Sequence, residues 1–165
     1  MLVLGIDPGT AITGYGLVRE TEEGGLVLVD CGVITTSPDQ PLPARLQIVY
    51  RGLSEIAREH RPDAAAVEEL FFSRNARTAL SVGHARGVTL LALADAGLPI
   101  YEYKPLQVKQ AIAGYGGADK QQVQQMVRVL LGLDDVIKPD DASDAVACAI
   151  CHAHSGRFAD TFRIR

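Results

Sequence analysis

No stretch of this 165-residue chain is apolar for long enough to span a bilayer, and its opening, MLVLGIDPGT, carries neither a basic leader nor a small-residue cleavage site. A cytoplasmic protein is the expectation. Cysteine is scarce: Cys31, Cys148 and Cys151 are odd in number and irregular in spacing, which suits reduced thiols better than a disulfide framework. Internal repeats, low-complexity tracts and linker-like segments are also missing, so one domain over residues 1–165 is expected. With 47% hydrophobic and 22% charged residues, a chain of this length can bury a core without staples.

An overall basic charge is lacking as well. The formal net charge is -4, which by itself argues against a nucleic-acid ligand. The charge is unevenly spread, however. Residues 71–131 carry seven basic side chains (Arg74, Arg77, Arg86, Lys104, Lys109, Lys120, Arg128) against three acids (Asp95, Glu102, Asp119), leaving that stretch at +4 and the remainder at -8. Carboxylates that hold divalent ions would offset part of the negative charge; a solvated helical surface would explain the basic stretch equally well.

Three runs at the start, LVLGID from Leu2, GYGLVRE from Gly14 and LVLVDCGVI from Leu26, are punctuated by PGT and EEGG and predict an antiparallel meander. After the turn-rich SPDQPLP, the spacing of Leu42, Leu46, Val49, Leu53 and Ile56 predicts a helix ending at His60-Arg61-Pro62. AAAVEEL from Ala64 is short and apolar enough for a buried strand. A helix over about Arg74–Ala96 then leads to the strand LPIYEY, and a helical crossover between two strands implies parallel pairing. Helices near Pro105–Ala113, Ala118–Leu131 and Asp141–Ser155 complete the order. Together these predict an α/β, ribonuclease-H-like fold: a mixed five-stranded sheet, three strands antiparallel and two parallel, flanked by helices.

Acidic residues stand where apolar elements end. Asp7 closes the first strand in GIDPGT, a position that an ordinary strand-to-turn junction also explains. Nucleotide-binding ATPases use a similar glycine-rich hairpin, but they need a second phosphate loop and a second lobe that 165 residues leave no room for. Glu68 and Glu69 close the apolar AAAV run and point to opposite faces, so only one can share a site with Asp7; Glu69 is expected to face solvent or pair with arginine. Burying an ionised carboxylate is costly unless it is paired or binds a metal. In DDASDAVACAI, Asp141 and Asp144 share one helical face. Helix capping accounts for one or two such acids, but not for four acids that each end an apolar element.

The succession GIDPGT, TGYG, VEELFFSRNARTAL, GHARGV, YEYKPLQVKQAIAGYGGADKQQVQQMV and DASDAVACAI resembles, in that order and over nearly the whole chain, the signatures of the RuvC family of Holliday junction resolvases. The resemblance implies a homodimeric endonuclease that resolves four-way DNA junctions and leaves 5′-phosphate and 3′-hydroxyl ends. It implies that Asp7, Glu68, Asp141 and Asp144 are catalytic metal ligands, and that the protein partners a branch-migration motor of the RuvA and RuvB type in recombination and repair. Hard carboxylate oxygens suit Mg²⁺ or Mn²⁺, two ions per site. The chain departs from the family in having Glu69 where an amide often follows the catalytic glutamate, and the family sometimes has histidine at the Asp141 position.

The resemblance also implies that Phe71 is a base-contacting wedge, with Phe72 read as core, and that Lys109 and Lys120 contact phosphate where spacing alone reads solvated helix lysines. Arg74 and Arg77 are read as backbone contacts, and the helix over Ala76–Ala94 as a dimer surface. A nuclease acting on RNA ends and a non-catalytic junction-binding module are the competing functions. CAICH, Cys148–His152, has the form of a haem attachment site, and with His154 of a zinc site, but it falls on one apolar helix; the cysteines are read as small core residues.

Overall fold

A computed structural model describes residues 1–69, 76–156 and 161–164, without the side chains of 76–79. Five strands form one sheet: β1 (Leu2–Asp7), β2 (Ile12–Glu20), β3 (Leu26–Thr35), β4 (Ala64–Glu68) and β5 (Ile100–Tyr103). Their order across the sheet is β3-β2-β1-β4-β5. The first three pair antiparallel, and β1–β4 and β4–β5 pair parallel, the mixed sheet expected from the element order. Helices α1 (Leu42–His60), α2 (Ala76–Asp95), α3 (Pro105–Ala113), α4 (Lys120–Leu130) and α5 (Asp140–Ser155) complete the fold. Several boundaries differ from expectation by one or two residues, including β5, which begins at Ile100 rather than Leu98. β2 begins at Ile12 rather than Gly14, because its ladder with β3 reaches Thr35. α4 begins at Lys120 rather than Ala118, because Asp119 accepts from the Gln122 N–H at 2.8 Å and caps the helix. α5 begins at Asp140 rather than Asp141.

Strand alternation divides the core in two. Leu2, Leu4 and Ile6 of β1, Leu17 of β2 and Ala65 and Val67 of β4 pack with Val49 and Leu53 of α1 and Ala92 and Leu93 of α2. Val3, Val18 and Ala66 face the opposite way, onto α5 and the apolar sides of α3 and α4. Period-two alternation therefore sends Asp7, two residues beyond Gly5 and four beyond Val3, to the α5 face. It sends Glu68, two beyond Ala66, to the same face.

α5 lies on β1 and β2 at a separation that only glycine permits. An added Cβ at Gly5 would run into the Ala145 carbonyl, one at Gly16 into Val146, and one at Gly14 into the Asp141 carbonyl. The helix itself is buried from Ala142 to His152, apart from Asp144. Its far end is held by Tyr103 of β5, whose hydroxyl lies 2.7 Å from His152 Nδ1. Cys148 and Cys151 are buried in this helix, as core residues. Burial pushes the Cys148 thiol well above its usual range and Cys151 up to about 12.

Alanine normally gains ~0.5–1 kcal/mol over glycine inside a strand. At Gly14 the sign reverses, because overpacking against backbone costs ~1–3 kcal/mol. Gly14→Ala is thus expected to lower the unfolding free energy, measured by urea titration; an unchanged or raised midpoint would show that α5 does not depend on this close approach.

Candidate active site

Asp7 and Glu68 are brought together by sheet register. Ile6 pairs with Val67 across the parallel β1–β4 ladder, so the next residue of each strand is an acid, and both acids face α5. The antiparallel partner of Asp7 is Gly14, the residue that seats the Asp141 carbonyl. One glycine thereby delivers the start of α5 to the end of β1. Asp144, one turn further along, lines a cavity of about 250 Å³ together with Glu68, Lys109 and Lys120. Two larger grooves lie elsewhere, beside α1 and α2, and contain none of these residues.

The electrostatics show strain in the negative charge. Asp7 is raised to about 6 by burial first, then by the charges of Asp144 and Asp141, with Lys120 opposing. Glu68 is raised to about 7 by burial and then by Asp7 and Asp144, against Lys120 and Lys109. Both carboxyls therefore have too little positive charge around them to ionise in the usual carboxylate range. Lys120 Nζ stands 2.9 Å from Asp144 Oδ2 and 3.5 Å from Asp140 Oδ2.

Asp140 is not among the residues that the sequence predicts for the site. Its Oδ1 accepts from Lys138 Nζ at 2.8 Å and from Gln124 Nε2 at 2.9 Å. These two contacts hold its carboxyl down at about 2. Asp140 is thus already neutralised, whereas Asp141 forms no ion pair among the described residues. Glu69 is half-buried, and its N–H donates to the Tyr103 carbonyl at 2.8 Å. Of its two expected fates, facing solvent or pairing with arginine, the second is not seen among the described residues; Arg86 pairs with Glu102 of β5. Phe71, Phe72 and Arg74 lie outside the described residues, as does the Arg77 side chain.

Among the described residues, no three acidic, histidine or cysteine side chains form a ready-made ion cage. The donor set nevertheless fits a hard divalent ion. Mg²⁺ is ordinarily held by one or two carboxylates together with water and substrate phosphate, not by a cage made wholly of protein. Two carboxyls with raised pKa values are groups that a cation would stabilise in their charged form.

Residues 3–152 match the family model "Crossover junction endodeoxyribonuclease RuvC". The chain is 61% identical over 155 residues to a protein of that name from Chloroflexus aurantiacus, covering 94% of each. It is 53% identical to one from Alkaliphilus oremlandii, covering the whole of both. Its structure is similar to that of Thermus thermophilus RuvC in complex with a Holliday junction substrate, with a TM-score of 0.90 and 38% identity, covering 99% of this chain and 100% of that one. The yeast mitochondrial resolvase Ydc2, at 11% identity, covers 92% of this chain and 77% of its own and shares the fold with a TM-score of 0.70.

A carboxyl whose folded-state pKa lies above its unfolded value favours folding only while protonated. Its cost is absent below the unfolded value, near pH 4, and is complete once pH has risen past the folded value. In metal-free buffer, Asp7→Asn and Glu68→Gln are each expected to raise the unfolding free energy at pH 8 by about 1 kcal/mol or more, with little effect at pH 4. Denaturant titrations in EDTA at both pH values check this; equal effects at the two would show that these carboxyls carry no electrostatic strain.

Proposed function

This chain belongs to the RuvC family of crossover junction endodeoxyribonucleases, and on that footing we propose that it is a single-domain, structure-selective endonuclease. It resolves four-way DNA junctions by symmetric phosphodiester hydrolysis. The observation that carries this reading is the convergence of Asp7, Glu68 and Asp144, beside Asp141, with Lys109 and Lys120 at the same cavity. Asp7, Glu68, Asp141 and Asp144 would hold Mg²⁺, or Mn²⁺ in its place, and four carboxylates serving one reaction favour two ions per site. Ions held by these residues would supply activation of water and relief of charge on the scissile phosphate and leaving oxygen.

The protein's own part is to place charge. Lys120 projects from the first residue of α4 toward Asp144, and Lys109 projects from α3 to the same cavity. Both ammonium groups can contact non-bridging phosphate oxygens and hold the backbone in register with the acids. In hydrolysis the water oxygen forms a bond to phosphorus, the P–O3′ bond breaks, and O3′ takes up a proton. The products are a 5′-phosphate and a 3′-hydroxyl. Phe71 follows this site in sequence and would stack on a junction base, with Arg74 and Arg77 on the backbone.

Symmetric cutting needs two such sites, and a two-fold homodimer presents two equivalent sites to a two-fold junction. Leu80 and Leu91 of α2, at 64% and 54% exposure, are large apolar side chains left open in one protomer, which supports α2 as the dimer surface. In recombination and repair, its partner on this reading is a branch-migration motor of the RuvA and RuvB type. No helix among the described residues is long and apolar enough to cross a membrane. The reading places the protein in the cytoplasm because its substrate, the DNA of a bacterial cell, lies there.

An immobile four-way junction and a matched duplex, each with and without Mg²⁺, test the reading. Paired, symmetric nicks on the junction alone are expected. Asp7→Asn, Glu68→Gln and Asp144→Asn should each reduce incision by roughly 10²-fold or more, since even the outer partners of metal ligands commonly cost 10–100-fold. Junction affinity in EDTA should hardly change. Near-normal incision by any of the three would remove that residue from the site.

Phe71→Ala is expected to weaken junction processing by about 1–3 kcal/mol per base otherwise stacked. The defect should shrink on a junction whose central bases are already unpaired. Equal losses on paired and pre-opened junctions, accompanied by a lower Tm, would assign Phe71 to the core instead.

A further inference from the structure

The turn that follows Asp7 is held from outside the site. Every carbonyl from Gly9 to Ala11 accepts a hydrogen bond: Gly9 from the Thr13 hydroxyl at 2.7 Å, Thr10 from the Thr36 hydroxyl at 2.6 Å, and Ala11 from the Thr36 N–H at 3.0 Å. Arg45 of α1 donates from Nε to the Thr36 hydroxyl at 2.8 Å. The side chain of Thr10, only 6% exposed, reaches α2. Its Oγ1 donates to the Ser81 carbonyl at 2.8 Å and lies 2.7 Å from Ser81 Oγ. A hydroxyl has one proton to give, so with the Thr10 proton directed to the carbonyl, the second bond is donated by Ser81.

These contacts lie three residues beyond Asp7 and belong to the helix that follows Glu68 in the chain. The β1–β4 ladder sets the two acids side by side only as far as the pair Ile6–Val67. Beyond it, the backbone that follows Asp7 is located by the turn. The turn is joined to α2 by Thr10 and Ser81. We propose that Thr10 and Ser81 are a positioning pair that sets the Asp7 carboxylate against Glu68 for metal binding and hydrolysis. The two hydroxyls act through Asp7 and touch neither substrate nor metal. The inference rests on the endonuclease reading given above.

The geometry predicts a graded result. Thr10→Val keeps the shape and loses both bonds; Ser81→Ala leaves the bond from Thr10 to the Ser81 carbonyl; Thr10→Ser retains the donor. Single-turnover incision of a four-way junction should fall ~10–100-fold in Thr10→Val, the range typical of residues that orient metal ligands. The fall should be smaller in Ser81→Ala, and Thr10→Ser should stay near wild type. Mn²⁺ binding to the free protein, followed by electron paramagnetic resonance, should weaken in the same order, while junction affinity in EDTA stays unchanged. A merely structural contact would lower Tm without moving Mn²⁺ affinity, and that result overturns the proposal. So does a Thr10→Val protein that cuts and binds Mn²⁺ like wild type. If Thr10→Val fails to fold, Ser81→Ala decides: reduced Mn²⁺ affinity supports the pair, and wild-type affinity overturns it. Failure of the wild-type protein to cut the junction would instead count against the endonuclease reading.

Discussion

That the acids of α5 reach those of the sheet depends on how closely α5 can approach it. A helix normally stands off a sheet by the length of the side chains between them, but at Gly5, Gly14 and Gly16 there are none. The helix backbone descends onto β1 and β2, and its first turn comes within reach of the end of β1. Glycine in a strand sacrifices stability that alanine would retain. What is gained is the meeting of acids from elements separated by more than 130 residues of chain, Asp7 on β1 and Asp141 and Asp144 on α5.

The two faces of the sheet then serve different ends. On the α5 face, burial and then the crowding of acids raise the pKa of Asp7 and Glu68 above the usual carboxylate range. On the other face, α1 and α2 grip the turn after Asp7 through Thr36 and Thr10. The uneven charge of the chain has the same logic. The basic stretch over residues 71–131 contributes Lys109 and Lys120 to the rim of an otherwise acidic site, so a chain with a negative total charge still presents cations where phosphate would lie.

Much of this is legible in the amino-acid sequence. Alternation marks the strands, acids at the ends of apolar strands single out Asp7 and Glu68, because a buried carboxylate is conspicuous against its neighbours, and a three-residue spacing on one helical face pairs Asp141 with Asp144. That spacing selects Asp141 over Asp140 but gives no sign that Asp140 is already paired. Which of two adjacent acids is neutralised depends on helix phase and on Lys138, Gln124 and Lys120, and the last two arrive from another helix. The clasp between Thr10 and Ser81 joins residues 71 apart with no periodic signature, and ordinary hydroxyl residues give no sign of their partners. TGYG stands out as a motif, but the need for glycine at Gly14 emerges only with the Asp141 carbonyl above it.

The hydrogen bond between Tyr103 and His152 acquires a different meaning beside the glycine seat. A helix advances about 1.5 Å and turns about 100° per residue, so any slide along its axis is also a rotation. α5 is fixed near its beginning by backbone contacts to β1 and β2, and at its end by one side-chain bond to β5. It behaves as a screw clamped at two points. The eight-residue step from Asp144 to His152 is therefore a length standard. Side chains between them can be exchanged for others of similar size, whereas adding or deleting one residue would turn either the acid out of the site or the histidine away from its tyrosine.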